Sequence, residues 1–342
     1  MKPLVSSRAH KSAIRSLFLL LALILTAQVT PAHAIDSTVR IAIAYDLGGL
    51  GDGGVNDAAA VGLKAARAKY GLSPLALREV VTVGTEADRI ERLSFLAKAG
   101  YNLIIAVGNS WSSSLAKVAE DFPESQFAII GGSEIGMLNV SVMTYNHKEE
   151  SYLAGVLAAS SSTSKKIGFV ADATDTNFDS DLTAFTAGAK FGNPAVKINS
   201  AAISASATAQ IRTLVNSGID VIFSRRNSSS DVYSSILTLS KTKKIKLIGI
   251  TPDQYFLNST AAKKVLLGTV VEDYGLAVNQ LITAALNNLT ITELVDADIG
   301  IYGHLYTLKN RGFTVVLNQA TASANSKISS AKSLFVLGKV KL

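Results

Sequence analysis

Cysteine is absent from all 342 residues, tryptophan occurs once, and there are only six prolines, three methionines and four histidines. Without cysteine there is no disulfide, no thiolate nucleophile, no Cys-ligated zinc and no sulfur for a thioether-linked lipid. Such a chain must be held together by its core, and 48% hydrophobic residues over this length can build one. Two of the histidines, His10 and His33, lie in the first 34 residues. The other two, His147 and His304, stand too far apart for an HExxH-type ligand pair. No Gly-x-Ser-x-Gly elbow occurs. Carboxylate pairs such as Asp179/Asp181 and Glu149/Glu150 read as acids placed at helix starts. Neither an enzyme nor a resident metal or cofactor is expected.

Charge excludes a further class. The formal net charge of +7 includes Lys2, Arg8, Lys11 and Arg15; removing these four leaves +3. No Lys/Arg cluster interleaved with aromatics remains, so nucleic acid is not expected as a partner. One long uncharged apolar run exists, residues 16–29, and it follows those four basic residues. It ends before Ala32-His33-Ala34, which supplies small residues where a signal peptidase reads them. We read residues 1–34 as a signal peptide, with an uncleaved anchor as the competing reading. The mature chain is then exported to a periplasm or cell exterior, soluble and not lipidated.

What the chain does have is a glycine-rich loop in a telling place. Apolar Ile41–Tyr45 ends at Asp46, glycines follow at 48, 49, 51, 53 and 54, and a small-residue helix opens near Asn56. A buried strand that delivers a polar, glycine-rich loop to a helix start is how open α/β proteins build ligand sites. The loop has neither GxGxxG spacing nor a Gly-Lys-Ser/Thr ending, and Asp46, Asp52 and Asp57 make it acidic. A neutral polar ligand suits it better than a phosphate.

Strands are expected at Val39–Ala44, Leu77–Val83, Leu103–Val107, Gln126–Ile130, Val140–Thr144, Ile167–Val170, Val221–Phe223, Leu247–Ile250 and Leu267–Val271, with helical patterns between them. Several are continuous Val/Ile/Leu/Ala runs, as parallel strands covered on both faces should be. The alternation predicts a doubly wound α/β fold in two halves that meet near Tyr145–Lys148. Polar clusters recur just after strands: Asn109 with Trp111, Asp172 through Phe178 and Asp181, Arg225-Arg226-Asn227, and Asp253-Gln254. Trp111 reads equally as a ring for stacking on a ligand or as core filler.

The segments YDLGGLGDGGVNDAAAVGL, GTEADRIERLSFLAKAGYNLIIAVG, FPESQFAIIGG, HKEESYLAGVLAA, FTAGAKFGNP and KLIGITPDQ resemble the basic membrane protein family, the PnrA-like purine nucleoside receptors of ABC transporters. The resemblance implies a periplasmic-binding-protein type I fold, two Rossmann-like lobes joined by three crossovers. We expect a first lobe of 38–145 plus 272–294 and a second of 146–271 plus 295–342. It also implies a monomer that presents a nucleoside-like small molecule to an ABC permease. Asp46 and Asn56 match the family's loop acid and asparagine, and Asp253 the end of a VGVDSDQ-like segment. The chain departs from the pattern at Val55, where an aromatic is usual, at Gly131 and Thr251, where acids are usual, and at Glu272, where a lysine is usual. The expected ligand contacts are Asp46, Asp52, Asn56, Asn109, Trp111, Asp172, Phe178, Asp181, Arg226, Asp253 and Glu272. A sensory or interaction protein that kept the scaffold and altered its pocket is the alternative.

Overall fold

Two sheets form where the sequence carries its runs of Val, Ile, Leu and Ala. The computed structural model describes residues 39–51, 54–133, 135–226, 230–250, 264–287, 295–296 and 300–342. The chain first lays down β1 (Ile41–Tyr45), α1 (Val55–Tyr70), β2 (Leu77–Val81), α2 (Glu86–Lys98), β3 (Leu103–Val107), α3 (Ser112–Asp121), β4 (Gln126–Ile130) and β5 (Val140–Tyr145). It then passes to a second lobe with α4 (His147–Ser161), β6 (Lys166–Asp172), α5 (Phe178–Gly192), β7 (Lys197–Ile203), α6 (Thr208–Asn216), β8 (Val221–Arg225), α7 (Ser230–Leu239), β9 (Lys246–Ile250) and β10 (Leu266–Glu272). It returns to the first lobe with α8 (Tyr274–Leu286), β11 (Val295–Asp296) and β12 (Ile301–Tyr306). The second lobe is completed by β13 (Phe313–Leu317) and α9 (Ala322–Val336).

The sheet orders are β11-β12-β5-β4-β3-β1-β2 and β13-β10-β9-β8-β6-β7. Pairing is parallel except for β11 with β12 and β10 with β13. Central strands β1 and β3 are buried at every position, whereas the edge strands β2 and β7 alternate toward solvent. This is why the central strands read as unbroken apolar runs. One expectation needs correcting. Residues 295–306 were assigned to the second lobe, but β12 pairs with β5 in the first sheet, so the third crossing falls between Tyr306 and Phe313.

Each lobe has its own apolar core. In the first, Leu93, Leu96, Ile104, Trp111, Leu115 and Phe127 pack together; in the second, Val170, Ile211, Ile222, Ile236, Leu247 and Leu266 do so. Small residues set the helix spacing. A Cβ at Gly188 of α5 would lie 1.9 Å from the Tyr152 carbonyl oxygen of α4, and one at Gly155 of α4 would lie 2.1 Å from the Phe185 carbonyl oxygen. In the first lobe, a Cβ at Gly62 of α1 would lie 2.6 Å from the Gly275 Cα of α8. The small-residue patterns in SYLAGVLAA and TAFTAGAKFG are therefore backbone-contact surfaces.

Gly188→Ala is expected to cost about 2–3 kcal/mol, because rigid backbone cannot yield to the added methyl; the urea midpoint of the purified variant measures it. A second effect depends on pH. The Arg92 guanidinium, with help from the Thr82 hydroxyl and Val83 NH, holds the Asp88 carboxyl at about 2. Because the folded state lowers this pKa, the contribution is present above about pH 4 and is lost as pH falls toward 2. Asp88→Asn should thus destabilise the protein by about 1 kcal/mol at pH 7, the pair being partly solvent-screened. Thermal melts should show the difference shrinking below pH 3.

Candidate functional site

Asp46 directly follows β1. Its NH donates to Asn56 Oδ1 at 2.9 Å, and Asn56 Nδ2 donates back to the Asp46 carbonyl at 3.3 Å. Asn56 is buried, so these bonds spend its amide on the shape of the glycine loop. The Asp46 carboxylate accepts the Leu47 NH at 2.8 Å and stands 3.5 Å from an Arg89 nitrogen. It also lies against Gly108, where a Cβ would come within 3.2 Å of Oδ2 and where φ is +96°. Only glycine combines that backbone with that space. Asn109 Oδ1 accepts the Ser133 NH at 3.0 Å and the Ser112 hydroxyl at 2.9 Å, joining the ends of β3 and β4. Trp111 has no exposed surface and sits among the core residues of the first lobe. The stacking reading of Trp111 is corrected: the 3-10 turn Asn109–Trp111 directs the polar neighbours outward and the indole inward.

The second lobe presents Asp172 at the end of β6 and Arg226 just after β8. Arg226 Nε donates to Asp172 Oδ1 at 2.7 Å, while Nη1 donates to both Asp231 oxygens at 2.6 and 2.7 Å. Against burial, the Ala207 NH and the Arg226 guanidinium hold the Asp231 carboxyl below the usual range. Phe178 opens α5, half-buried, edge-on to Phe169 with ring centroids 5.5 Å apart. Asp52 and Asp253 lie outside the described residues.

The three crossings touch one another. One ring from each, Tyr274, Tyr145 and Tyr306, forms a stack with centroids 5.5 and 5.1 Å apart. The Asn146 NH donates to the Tyr306 carbonyl and the Asp273 NH to the Gly312 carbonyl, each at 2.8 Å. The Leu308 NH donates to Glu149 Oε2, also at 2.8 Å. Asn146 and Asp273 in turn cap α4 and α8, so each crossing residue starts a helix as it ends a connection.

Beneath this bundle lies a buried charge cluster. Arg225, the last residue of β8, sets Nη1 2.8 Å from Glu150 Oε2 and Nε 2.7 Å from Asp181 Oδ2. Glu272, the last residue of β10, brings its carboxyl close to Glu150 and to His147. Burial pushes the Glu150 carboxyl up to about 6, with Arg225 opposing. Burial, reinforced by Glu150, drives Glu272 well above the carboxylate range. Asp181 is also raised by burial in spite of Arg225, and burial with Arg225 drives His147 well below its ordinary value. Asp181 and Glu272 are thus committed to this cluster. The resemblance implied a lysine at 272; the structure finds the cation on β8 instead, at Arg225. Sequence reading passed over Glu150, Arg225 and His147 as site residues, although His147-x-x-Glu150 has the spacing of one helix face.

A cavity of about 530 Å³ lies between the lobes, faced by Gly132 and Ser133 from the first, Asn177 and Ser180 from the second, and Asn146 and His147 from the first crossing. Among the described residues, Asp181 is the one expected contact that lines it. Its lining is mixed: amides and hydroxyls from Ser133, Asn146, Asn177 and Ser180, the charged side chains Lys148, Glu149 and Asp181, and an apolar side that includes Ile301, Leu305 and Phe335.

A sequence profile of the Bmp family, ABC transporter substrate-binding protein PnrA-like, matches residues 39–327. The chain belongs to this family. The ABC transporter nucleoside-binding protein BmpA of Lactococcus lactis is 24% identical, over 90% of this chain and 89% of its own length. Among solved structures, an ABC transporter solute-binding protein from Conexibacter woesei covers 89% of this chain and 98% of its own at 18% identity and a TM-score of 0.63. A transcriptional activator of the comK gene from Bacillus halodurans covers 87% and 97% at 16% identity, with a TM-score of 0.67. The fold is that of periplasmic-binding-protein type I solute receptors. Among the described residues of this Bmp-family chain, no helix is long and apolar enough to cross a membrane.

Arg225→Met would leave three buried acids without their guanidinium. It is expected to cost about 3–5 kcal/mol, the range for removing one partner of a buried ion pair. Equilibrium urea unfolding measures the loss; a cost under about 1 kcal/mol would show that the guanidinium does not hold the cluster.

Proposed function

We propose that this Bmp-family substrate-binding protein is exported and takes up a nucleoside or nucleoside-like small molecule between its lobes, for delivery to an ABC permease. The observation that supports a polar ligand without net charge is the lining of the interlobe cavity, where Ser133, Asn146, Asn177 and Ser180 stand beside charges of both signs, Lys148 against Glu149 and Asp181. The neighbouring strand-end carboxylates point the same way. Asp46 faces Arg89 and Asp172 faces Arg226, so neither stands as a bare charge toward an ionic ligand. Phe178 follows Asn177, which lines the cavity, and is half-buried, which makes it a candidate ring for a base to stack on. The ligand would favour the closed arrangement by touching both lobes at once, the crossings acting as the hinge. On this reading the protein is a monomer and performs no catalysis.

A second reading, a sensory or interaction protein on the same scaffold, is favoured by one observation: Trp111, the single tryptophan, is turned into the core. The experiment is a thermal-shift screen of the purified chain against nucleosides, nucleobases, sugars and amino acids. A nucleoside at saturating concentration should raise the melting temperature by several degrees. Phe178→Ala should then weaken its binding about tenfold, since stacking of a base on an aromatic ring is worth about 1–3 kcal/mol. If no compound in the four classes stabilises a folded sample, the receptor reading fails and the sensory one stands.

A further inference from the structure

We propose that His147, Glu150 and Glu272 form a binding site for one divalent transition-metal ion, with Zn²⁺ as the probe cation. The site goes beyond the solute-receptor reading and does not depend on what the cleft carries. One donor atom from each of the three side chains lies within 4.8 Å of the other two. Two of them, at 147 and 150, are three residues apart on the first turn of α4 and so share a face. The third arrives at the end of β10, where the chain is about to cross between lobes. One imidazole and two carboxylates are a donor set that zinc accepts with a position left over for water or another ligand.

The second observation concerns a single oxygen. Glu150 is fully buried, and its Oε2 is taken by Arg225. Its Oε1 is also buried, and no amide, hydroxyl or guanidinium donor among the described residues reaches it. The group set against Oε1 is the Glu272 carboxyl, its hydrogen-bonding neighbour, so a proton or a cation must lie between the two buried oxygens. Arg225 does not fill that role for Oε1, because its hydrogen bonds run to Glu150 Oε2 and toward Asp181. It would instead hold the liganding carboxylate from the far side, as hydrogen-bonding partners of metal ligands commonly do.

The composition of the cluster suits a dication: Glu150, Asp181 and Glu272 set three carboxyls around the single guanidinium of Arg225. His147 lines the interlobe cavity, which gives a hydrated ion a route in.

The test is equilibrium dialysis of the EDTA-treated chain against Zn²⁺ at pH 7.5, with circular dichroism to confirm folding of each variant. The expected result is one zinc per chain, a rise in melting temperature of several degrees, and at least a tenfold loss of affinity in both His147→Ala and Glu272→Gln. His304→Ala should bind like the parent. The isosteric Glu272→Gln guards against a folding artefact at position 147. The proposal is overturned if the folded parent takes up no zinc at 100 µM free ion, or if folded His147→Ala and Glu272→Gln bind as the parent does. An unchanged zinc affinity accompanied by a proton-dependent melting temperature would also overturn it, leaving a shared proton as the occupant of the site.

Discussion

The three crossings are the constraint on which both lobes depend. Each contributes a tyrosine to one stack, Tyr274–Tyr145–Tyr306, and each donates or accepts a backbone hydrogen bond with another crossing. Offset ring pairs are worth about 0.5–1.5 kcal/mol beyond their buried area. Placed in the connections themselves, they set the relative position of two sheets that share no strand. The caps Asn146 and Asp273 extend this control outward, since the helices they begin pack on opposite lobes. A small change of torsion at these residues would be carried into rigid bodies on either side, which is the geometry of a hinge.

Directly under the crossings, the Arg225 cluster shows how one altered position calls for another. An acid at 272 brings negative charge close to Glu150 in a place that excludes water. Desolvation makes a bare pair of carboxylates untenable, so a cation or proton has to be supplied nearby. The last residue of β8 supplies it, as the Arg225 guanidinium. The departure at Glu272 is thus linked in space to Arg225, although 46 residues lie between them in the chain (272 minus 225, less one).

Much of the fold was legible because burial writes itself into composition. Strands β1, β3 and β4 appear in the sequence within a residue or two of their observed limits, since nearly every position in them is inside. Strand β7, KINSAAI, escaped notice because an edge strand half exposed to water carries no apolar run. Strands β12 and β13 were missed for another reason: IYGHLY and FTVVL pair with strands far away in sequence, and nothing local says to which lobe they return. The site was less legible than the fold. Asp46, Asn109, Asp172 and Arg226 do stand at strand ends, as their positions after apolar runs implied. Yet sequence gives residue type and not partner, so it could not show that Asn56 serves the loop backbone, or that the Trp111 ring turns inward.

Partnering also bears on what the cleft can recognise. A carboxylate that grips a sugar hydroxyl must keep an acceptor lone pair directed at the ligand. Asp172 and Asp181 each face an arginine within 2.7 Å, and Asp46 has one at 3.5 Å. Of the three, Asp46 is the least committed: its arginine is distant and its side chain retains 26% exposure, against 18% for Asp172 and 1% for Asp181. A carboxylate has about four lone-pair positions, and Asp46 has used two, both on Oδ1, for the Leu47 NH and the more distant Arg89. On the proposed reading the first lobe can still offer an acid to the ligand, while the second offers arginine-bound acids, amides and the Phe178 ring. Such an asymmetric cleft would orient a ligand with a hydrogen-bonding end toward Asp46 and a flat face toward α5.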